Sequence, residues 1–296
     1  MARSRRDDGL LQRYGPWALV AGGSDGLGAA FAEELGAIGF NLVLVARRRE
    51  LLMALADRLR ASYGVAVRII VGDLGAADTV DRVDEHTADL DVGLVVYNAA
   101  FAPIGLFAET PLDELLDVVD VNVRGPVAVV RRLLPRMSRR ASPGGGASQH
   151  TATRRAGFIL MSSLSGVQGA PLLAAYSASK AFNLILAQGL FAELRQAAVD
   201  VTACCAGAIR TPGYTGVSGG GDAPGTLDAA RVARSALAGI GRRPTVVPGV
   251  LNKVARVLMT RLLPARAAVG IMAASTRALQ SQTAALQQHT RMEERP

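Results

Sequence analysis

The strongest constraint on the fold is a repeated pairing in which short apolar runs end on glycine or small polar residues and longer stretches of helical periodicity follow. Trp17–Ala21 leads through a glycine turn into a helical stretch, and Asn41–Ala46 leads into a helix expected from Glu50 to Arg60. Val65–Val71, Val92–Tyr97, Phe158–Met161, Asp200–Cys205 and Thr245–Val247 continue the series, with helices expected over Leu112–Met137, from Tyr176 onward and over Leu227–Ile240. Apolar runs this short read as strands, and strands that alternate with helices build a sheet covered by helices. The expected class is α/β: one domain over 15–249 with a doubly wound parallel sheet of Rossmann type. A flexible tail over 1–14 is expected before it, and a C-terminal helical extension over 250–296 after it. Ligands of such sheets lie outside the carboxyl ends of the strands, so the residues just past each run are where function is sought.

Past the first run stand Gly22, Ser24, Asp25, Gly26, Leu27 and Gly28. Glycines there let the backbone turn tightly and approach a pyrophosphate, which the free N–H groups and positive end of the next helix can hold. The spacing G-x-x-x-G-x-G departs from G-x-G-x-x-G, and a glycine turn can be no more than a tight connection. Its strand-to-helix position favours dinucleotide binding. Past the second run stand Arg47, Arg48 and Arg49 where an NAD-binding chain carries an acid for the ribose 2′-hydroxyl; arginine suits the 2′-phosphate of NADP. Arg47 and Arg48 are assigned to it, and NADP(H) is expected over NAD(H). Asp73 with Leu74 follows the third run, at adenine distance, and Asn98, Ala99 and Ala100 follow the fourth and close the groove.

The fifth run delivers Ser162 and Ser163, and the helix after it carries Tyr176 and Lys180 four residues apart, hence on one face. A phenol has a pKa of about 10, and a neighbouring ammonium is expected to lower it. A phenol so tuned exchanges a proton with a carbonyl or alcohol oxygen, and Ser163 can hydrogen-bond the same oxygen. The plain alternative is a buried tyrosine and a surface lysine on an amphipathic helix. Asn122, polar among valines, is either a hydrogen-bonded core residue or a group facing the cleft.

Composition narrows the classes. The chain has 296 residues and a net charge of +8, but its basic residues read as scattered and only 4% of its residues are aromatic, so nucleic-acid binding is not expected. No apolar run reaches membrane-span length, and the charged start lacks a signal-peptide core. The two adjacent cysteines, Cys204 and Cys205, cannot build a disulfide framework, and His86, His150 and His289 lack metal-ligand spacing. A cytoplasmic protein without a metal is expected.

Taken together, these residues resemble the short-chain dehydrogenase/reductase family over roughly Trp17 to Val247. Asn122, Ser163, Tyr176 and Lys180 match its catalytic tetrad. The resemblance implies that the serine polarises the substrate oxygen and the tyrosine exchanges the proton. It also implies that the lysine binds the nicotinamide ribose and the asparagine positions a relay water. Gly207, Ile209 and Thr211 resemble the segment that contacts the nicotinamide amide and the phosphates. Ala21, Ala100 and Ala206 depart from the family's usual threonine, glycine and proline. S-D-G-L-G resembles the T-D-G-I-G of the long-chain ketoacyl and steroid reductase branch, which uses NADPH. The implied activity is hydride transfer between NADP(H) and a carbonyl or alcohol. An epimerase or dehydratase of the extended branch and a non-catalytic NADP-binding regulator are the alternatives.

The glycine-rich stretch over 138–156 is expected to be a flexible loop at the amino end of the fifth strand, away from the site. The stretch over 208–227 is expected to be a substrate lid. Phe101, Ile104, Leu106, Phe107, Leu164, Val167, Leu172, Leu173 and Tyr214 surround the tetrad in sequence with only Arg210 as a cation, which suits an apolar carbonyl or alcohol substrate. Leu251–Leu263 places Leu251, Val254, Val257, Leu258 and Leu262 on one helical face. Burial against the domain or a second subunit is expected for that face, with contact to an anionic membrane as the alternative. A homodimer or homotetramer is expected.

Overall fold

The computed structural model describes residues 5–141, 154–212, 214 and 222–276. Its centre is a seven-stranded, all-parallel sheet in the order β3-β2-β1-β4-β5-β6-β9. The strands are β1 (Trp17–Ala21), β2 (Asn41–Ala46), β3 (Val67–Val71), β4 (Val92–Tyr97), β5 (Ala156–Ser163), β6 (Val199–Ala206) and β9 (Thr245–Val246). The short β7 (Ile209–Arg210) and β8 (Leu227–Asp228) pair separately. Strand residues bury alternately into two cores. Ala18, Val20, Leu42 and Leu44 face one layer of helices, while Leu19, Ala21, Val43 and Val45 face the other. A sheet covered on both faces demands continuous apolar strands, which is why the runs were visible as runs.

The helices are α1 (Arg5–Tyr14), α2 (Gly26–Ile38), α3 (Arg49–Tyr63), α4 (Ala77–Glu85), α5 (Leu112–Val119), α6 (Gly125–Ala141), α7 (Ala174–Glu193), α8 (Ala229–Gly239) and α9 (Val250–Val257). α2 stops at Gly39, whose left-handed backbone returns its N–H to Leu35 and Gly36, and the chain re-enters the sheet at Asn41. The order reverses between β1 and β4, the switch point at which a parallel sheet opens a crevice at its carboxyl edge.

Five expectations are corrected. Residues 5–14 are not a loose tail: α1 ends on Tyr14, which is buried and donates to Asp200 Oδ2 at 2.6 Å. The helix expected over Leu112–Met137 is interrupted by one wide π-turn, Asp120–Arg124, and runs on to Ala141. Of the expected loop over 138–156, residues 138–141 finish α6, while Arg154 and Arg155 are tied by ion pairs to Asp91 and Asp200; 142–153 lie outside the described residues. The apolar face of Leu251–Leu263 is not covered by the domain, for Leu251, Val254, Val257, Leu258 and Leu262 are all exposed. The third strand also starts two residues later than expected, at Val67.

The ends of the segment expected to form a lid are held by the β7–β8 ladder and by Arg210, which pairs with both Asp222 and Asp228. The Tyr214 hydroxyl accepts from Ala223 N at 3.1 Å. Residues 213 and 215–221 of this segment lie outside those described.

Candidate active site

The glycine turn is built by close approach. Gly22 has φ +80°, and a side chain there would come within 2.6 Å of the Ala99 backbone; one at Gly28 would collide with the Gly22 carbonyl. Only glycine suits either place. Asn98 Nδ2 donates to that same carbonyl at 3.0 Å, joining the β1 turn to the end of β4. Asp25 caps α2, its Oδ1 accepting from Gly26 N at 2.7 Å. Gly26, with φ +53°, lies against Thr211, so the segment after β6 reaches the turn.

One cleft is lined by Gly22, Ser24, Asp25, Arg47, Arg48, Asp73, Leu74, Asn98, Ala99 and Ala100, residues that four separate strand ends contribute. The same cleft takes in Ala46, Gly72 and Val121, which were not expected, and Phe101, which was expected to face the substrate. Ala46 and Gly72 are the neighbours of Arg47 and Asp73, so their position at the carboxyl ends of β2 and β3 was the available signal. Arg48 pairs with Asp25 at 3.2 Å and Arg47 with Asp73 at 3.6 Å, all four being partly or largely exposed. These two guanidiniums stand at the lip of the cleft, and the side-chain-free glycine turn leaves space for a diphosphate beside the start of α2. The residues present therefore fit a dinucleotide.

The catalytic candidates come together on β5, the π-turn and α7. Ser162, though adjacent to Ser163, is buried and donates to the Lys180 carbonyl at 2.8 Å, which ties β5 to α7. Ser163 Oγ accepts from Ser165 N at 3.2 Å and Ser165 Oγ at 3.0 Å. With both acceptor positions used, its own hydrogen is directed elsewhere, and Ser163 lies near enough to the Tyr176 phenol to influence its pKa. Lys180 is 3% exposed; its Nζ donates to the Met161 carbonyl at 3.2 Å and lies 5.5 Å from the Tyr176 ring centre.

The π-turn swings Asn122 fully inside. Its side chain both accepts from Phe101 N and donates to Phe101 O, each at 2.8 Å, and donates to Ser179 Oγ at 3.0 Å. Ser179 in turn donates to the Tyr176 carbonyl at 2.7 Å. A continuous hydrogen-bonded path thus runs from the Phe101 wall of the cleft to the helix that carries Tyr176. Asn183, another unexpected member, donates to the Asn122 carbonyl at 3.0 Å, and its own Oδ1 is buried without a partner among the described residues. Tyr176, Ser179, Lys180 and Asn183 follow the i, i+3, i+4, i+7 spacing of one helical face, a polar stripe that was readable beforehand.

Burial holds the Tyr176 phenol above its ordinary value; Ser163 opposes that rise and Cys205 adds to it. The expectation that Lys180 draws the phenol down is therefore not met in the free protein. Burial also pushes the Lys180 ammonium down, to about 8. At neutral pH the phenol is protonated and the lysine mostly charged, which equips the pair to donate a proton.

The expected apolar lining divides. Leu106 and Phe107 face solvent, and Val167 lines a groove with Gln168, Ser177 and Val269. Arg210, the one cation expected there, is neutralised by two carboxylates. Among the described residues no group of three His, Cys, Asp or Glu side chains could hold a metal ion, and no helix is long and apolar enough to cross a membrane.

A seven-stranded parallel sheet with a glycine turn at its switch point and Ser163, Tyr176 and Lys180 beside it defines a nucleotide-binding α/β protein of oxidoreductase type. The family profile "short chain dehydrogenase" matches residues 16–218, and the chain belongs to that family. It is 28% identical to the 7beta-hydroxysteroid dehydrogenase of Mediterraneibacter gnavus over 82% of this chain and 90% of that one. It is 36% identical to the very-long-chain 3-oxoacyl-CoA reductase of Aspergillus clavatus, over 64% of this chain and 54% of that protein. A human protein called inactive hydroxysteroid dehydrogenase-like protein 1 is 35% identical over 60% of this chain and 51% of its own length. Among solved structures, one described by work on 7beta-hydroxysteroid dehydrogenase stereoselectivity superposes with a TM-score of 0.79 at 27% identity, covering 89% of this chain and 98% of that one. A short-chain dehydrogenase from Sphingobium yanoikuyae in complex with NADPH superposes with a TM-score of 0.68 at 27% identity, covering 84% and 97%. The chain is thus a short-chain oxidoreductase near the steroid and ketoacyl reductase branch.

Proposed function

We propose that this chain is an NADP(H)-dependent carbonyl reductase or alcohol dehydrogenase acting on a mostly apolar substrate. The observation that carries it is the meeting of Ser163, Tyr176 and Lys180 beside a cleft whose lip holds Arg47 and Arg48. When bound, the cofactor supplies the hydride that the carbonyl carbon receives. Tyr176 gives its phenolic proton to the carbonyl oxygen, and Ser163 donates a hydrogen bond to that oxygen as charge develops on it. Lys180 holds positive charge under the phenol and favours the phenolate left behind. Asn122 braces the cleft wall against α7. In the oxidative direction the same proton returns to Tyr176.

Gly22, Ser24, Asp25, Gly26, Leu27 and Gly28 would cradle the diphosphate, Asp73 and Leu74 would hold the adenine, and Asn98, Ala99 and Ala100 would line the groove. Gly207, Ile209 and Thr211 would hold the nicotinamide end. A guanidinium binds phosphate by paired, charge-assisted hydrogen bonds, which supports NADPH over NADH. The neutralised Arg210 supports an apolar over an anionic substrate. Exposed Leu112, Leu116, Val119, Val127 and Ile185 on α5, α6 and α7 support a homodimer or homotetramer, and two buried free cysteines suit the cytoplasm.

The test is turnover of a broad carbonyl panel, followed at the nicotinamide absorbance, with wild type and Tyr176→Phe. Wild-type activity with NADPH that Tyr176→Phe abolishes, with cofactor binding kept, is the expected result. The likeness to a protein named inactive favours a second reading, a non-catalytic NADP-binding regulator. Tight NADPH binding with no turnover of any carbonyl would select it.

A further inference from the structure

The excess positive charge is not spread along the chain. Of 33 basic and 25 acidic side chains, eight basic and no acidic ones fall between Ala229 and Thr276, so the remaining 25 and 25 cancel and this segment carries the entire net charge of +8. The same segment contains an uncovered apolar face. α9 and the π-turn after it, Leu258–Leu262, bury Asn252 and Met259 against the domain and turn Val250, Leu251, Val254, Val257, Leu258 and Leu262 outward, each between 41% and 73% exposed. Lys253 and Arg261 are exposed on the same short helical unit, and Arg256 is half-buried.

We propose that this face is a docking surface for an anionic lipid bilayer. A unit of 13 residues is about 20 Å long, too short to span the hydrocarbon, but its bulky apolar face flanked by cations suits a helix lying in the headgroup region. A second copy of this chain is a poorer occupant. An isologous contact would set Lys253 and Arg261 of one copy against those of the other, with no carboxylate in the segment to separate them. An anionic membrane supplies a phosphate to every cation wherever it lies. The buried side of the same helix holds the approach to β8, since Asn252 Nδ2 donates to the carbonyls of Gly225 at 3.1 Å and Pro248 at 3.0 Å. Docking therefore sets the start of β8 beside the lipid, where, on the function proposed above, an apolar substrate would be dissolved.

The test is co-sedimentation of the full chain with vesicles of phosphatidylcholine alone and of phosphatidylcholine mixed with phosphatidylglycerol. Wild type is expected to pellet with the mixed vesicles, to remain in solution with the neutral ones, and to be released by salt. Lys253→Glu with Arg261→Glu should weaken partition by at least about fivefold per side chain, and Leu251→Asp with Leu258→Asp should abolish it. All four positions are exposed, so unchanged melting temperatures will show that the variants fold. Three results would overturn the proposal. One is absence of binding to mixed vesicles. Another is binding that survives the leucine substitutions, which marks charge attraction without insertion. The third is a light-scattering mass that those leucine substitutions halve, which marks the face as a contact between copies. None of these readouts depends on turnover.

Discussion

Replacing Lys180 by methionine should make the protein more stable while ending its activity. The side chain is 3% exposed and lies between β5 and α7 with one protein partner for its ammonium, the Met161 carbonyl. Lowering an ammonium from 10.5 to about 8 means that burial disfavours its charged form by about 3 kcal/mol. Methionine has similar length and no charge to desolvate; loss of the bond to the Met161 carbonyl returns about 1 kcal/mol. The net gain at pH 7 is about 2 kcal/mol, or a melting temperature higher by about 4–8 °C for a domain of this size. The pH dependence gives the mechanism a separate check. Between pH 8 and 10.5 the unfolded lysine is protonated and the folded one is not, so this group makes wild-type stability rise with pH across that window. The advantage of the methionine variant is therefore full below pH 8, gone by about pH 9.5 and reversed by about 1 kcal/mol at pH 10.5. Calorimetry of both proteins at several pH values measures it, with NADPH turnover read in parallel. A variant that melts below wild type at pH 7, or a gap that stays constant to pH 10, would refute the reasoning.

Other consequences are as direct. Tyr14→Phe removes a hydrogen bond to a buried carboxylate and should cost about 1.5–3 kcal/mol, lowering the melting temperature by roughly 3–10 °C in thermal denaturation. Gly28→Ala places a methyl against the Gly22 carbonyl and should weaken NADPH at least tenfold, about 1.4 kcal/mol, by fluorescence titration, with the fold retained by circular dichroism. For carbonyl reduction kcat/KM should fall as pH rises through about 8, where Lys180 loses its charge; in Lys180→Arg that limb should move beyond the measurable range while residual activity persists.

What was legible in the sequence follows from the physics of each part. Parallel strands covered on both faces must be apolar end to end, so the runs and the residues past them could be read directly, and ten of the residues so chosen line one cleft. α1 was missed because its charged start hid Leu10, Leu11 and Tyr14, whose spacing places them on one side of a helix. The π-turn adds one residue to a helical turn without altering composition, so only the inward position of Asn122 reveals it. The phenol's raised pKa was out of reach because desolvation depends on what surrounds Tyr176 in space, whereas sequence spacing displays only the nearby lysine. For the Leu251–Leu262 face the stripe itself was readable, but whether anything covers it is a tertiary property.

The far edge of the sheet has a different character from the edge that holds the cleft. Asp91 just before β4, Asp200 at the start of β6 and Arg154 with Arg155 just ahead of β5 meet the ends of α1 and α6. Arg155 grips Asp200 with two bonds of 2.6 and 2.8 Å beside Tyr14, and Arg140 and Arg154 both hold Asp91 and the Gly15 carbonyl. Four strands are thereby fastened at their amino ends by groups that take no part in chemistry. Such an arrangement separates the inheritance of shape from the inheritance of specificity. Insertions or exchanges in the segments following β4, β5 and β6 alter what is recognised while the frame remains fastened from below, so a single scaffold can be redirected to new carbonyl compounds by replacing its upper loops.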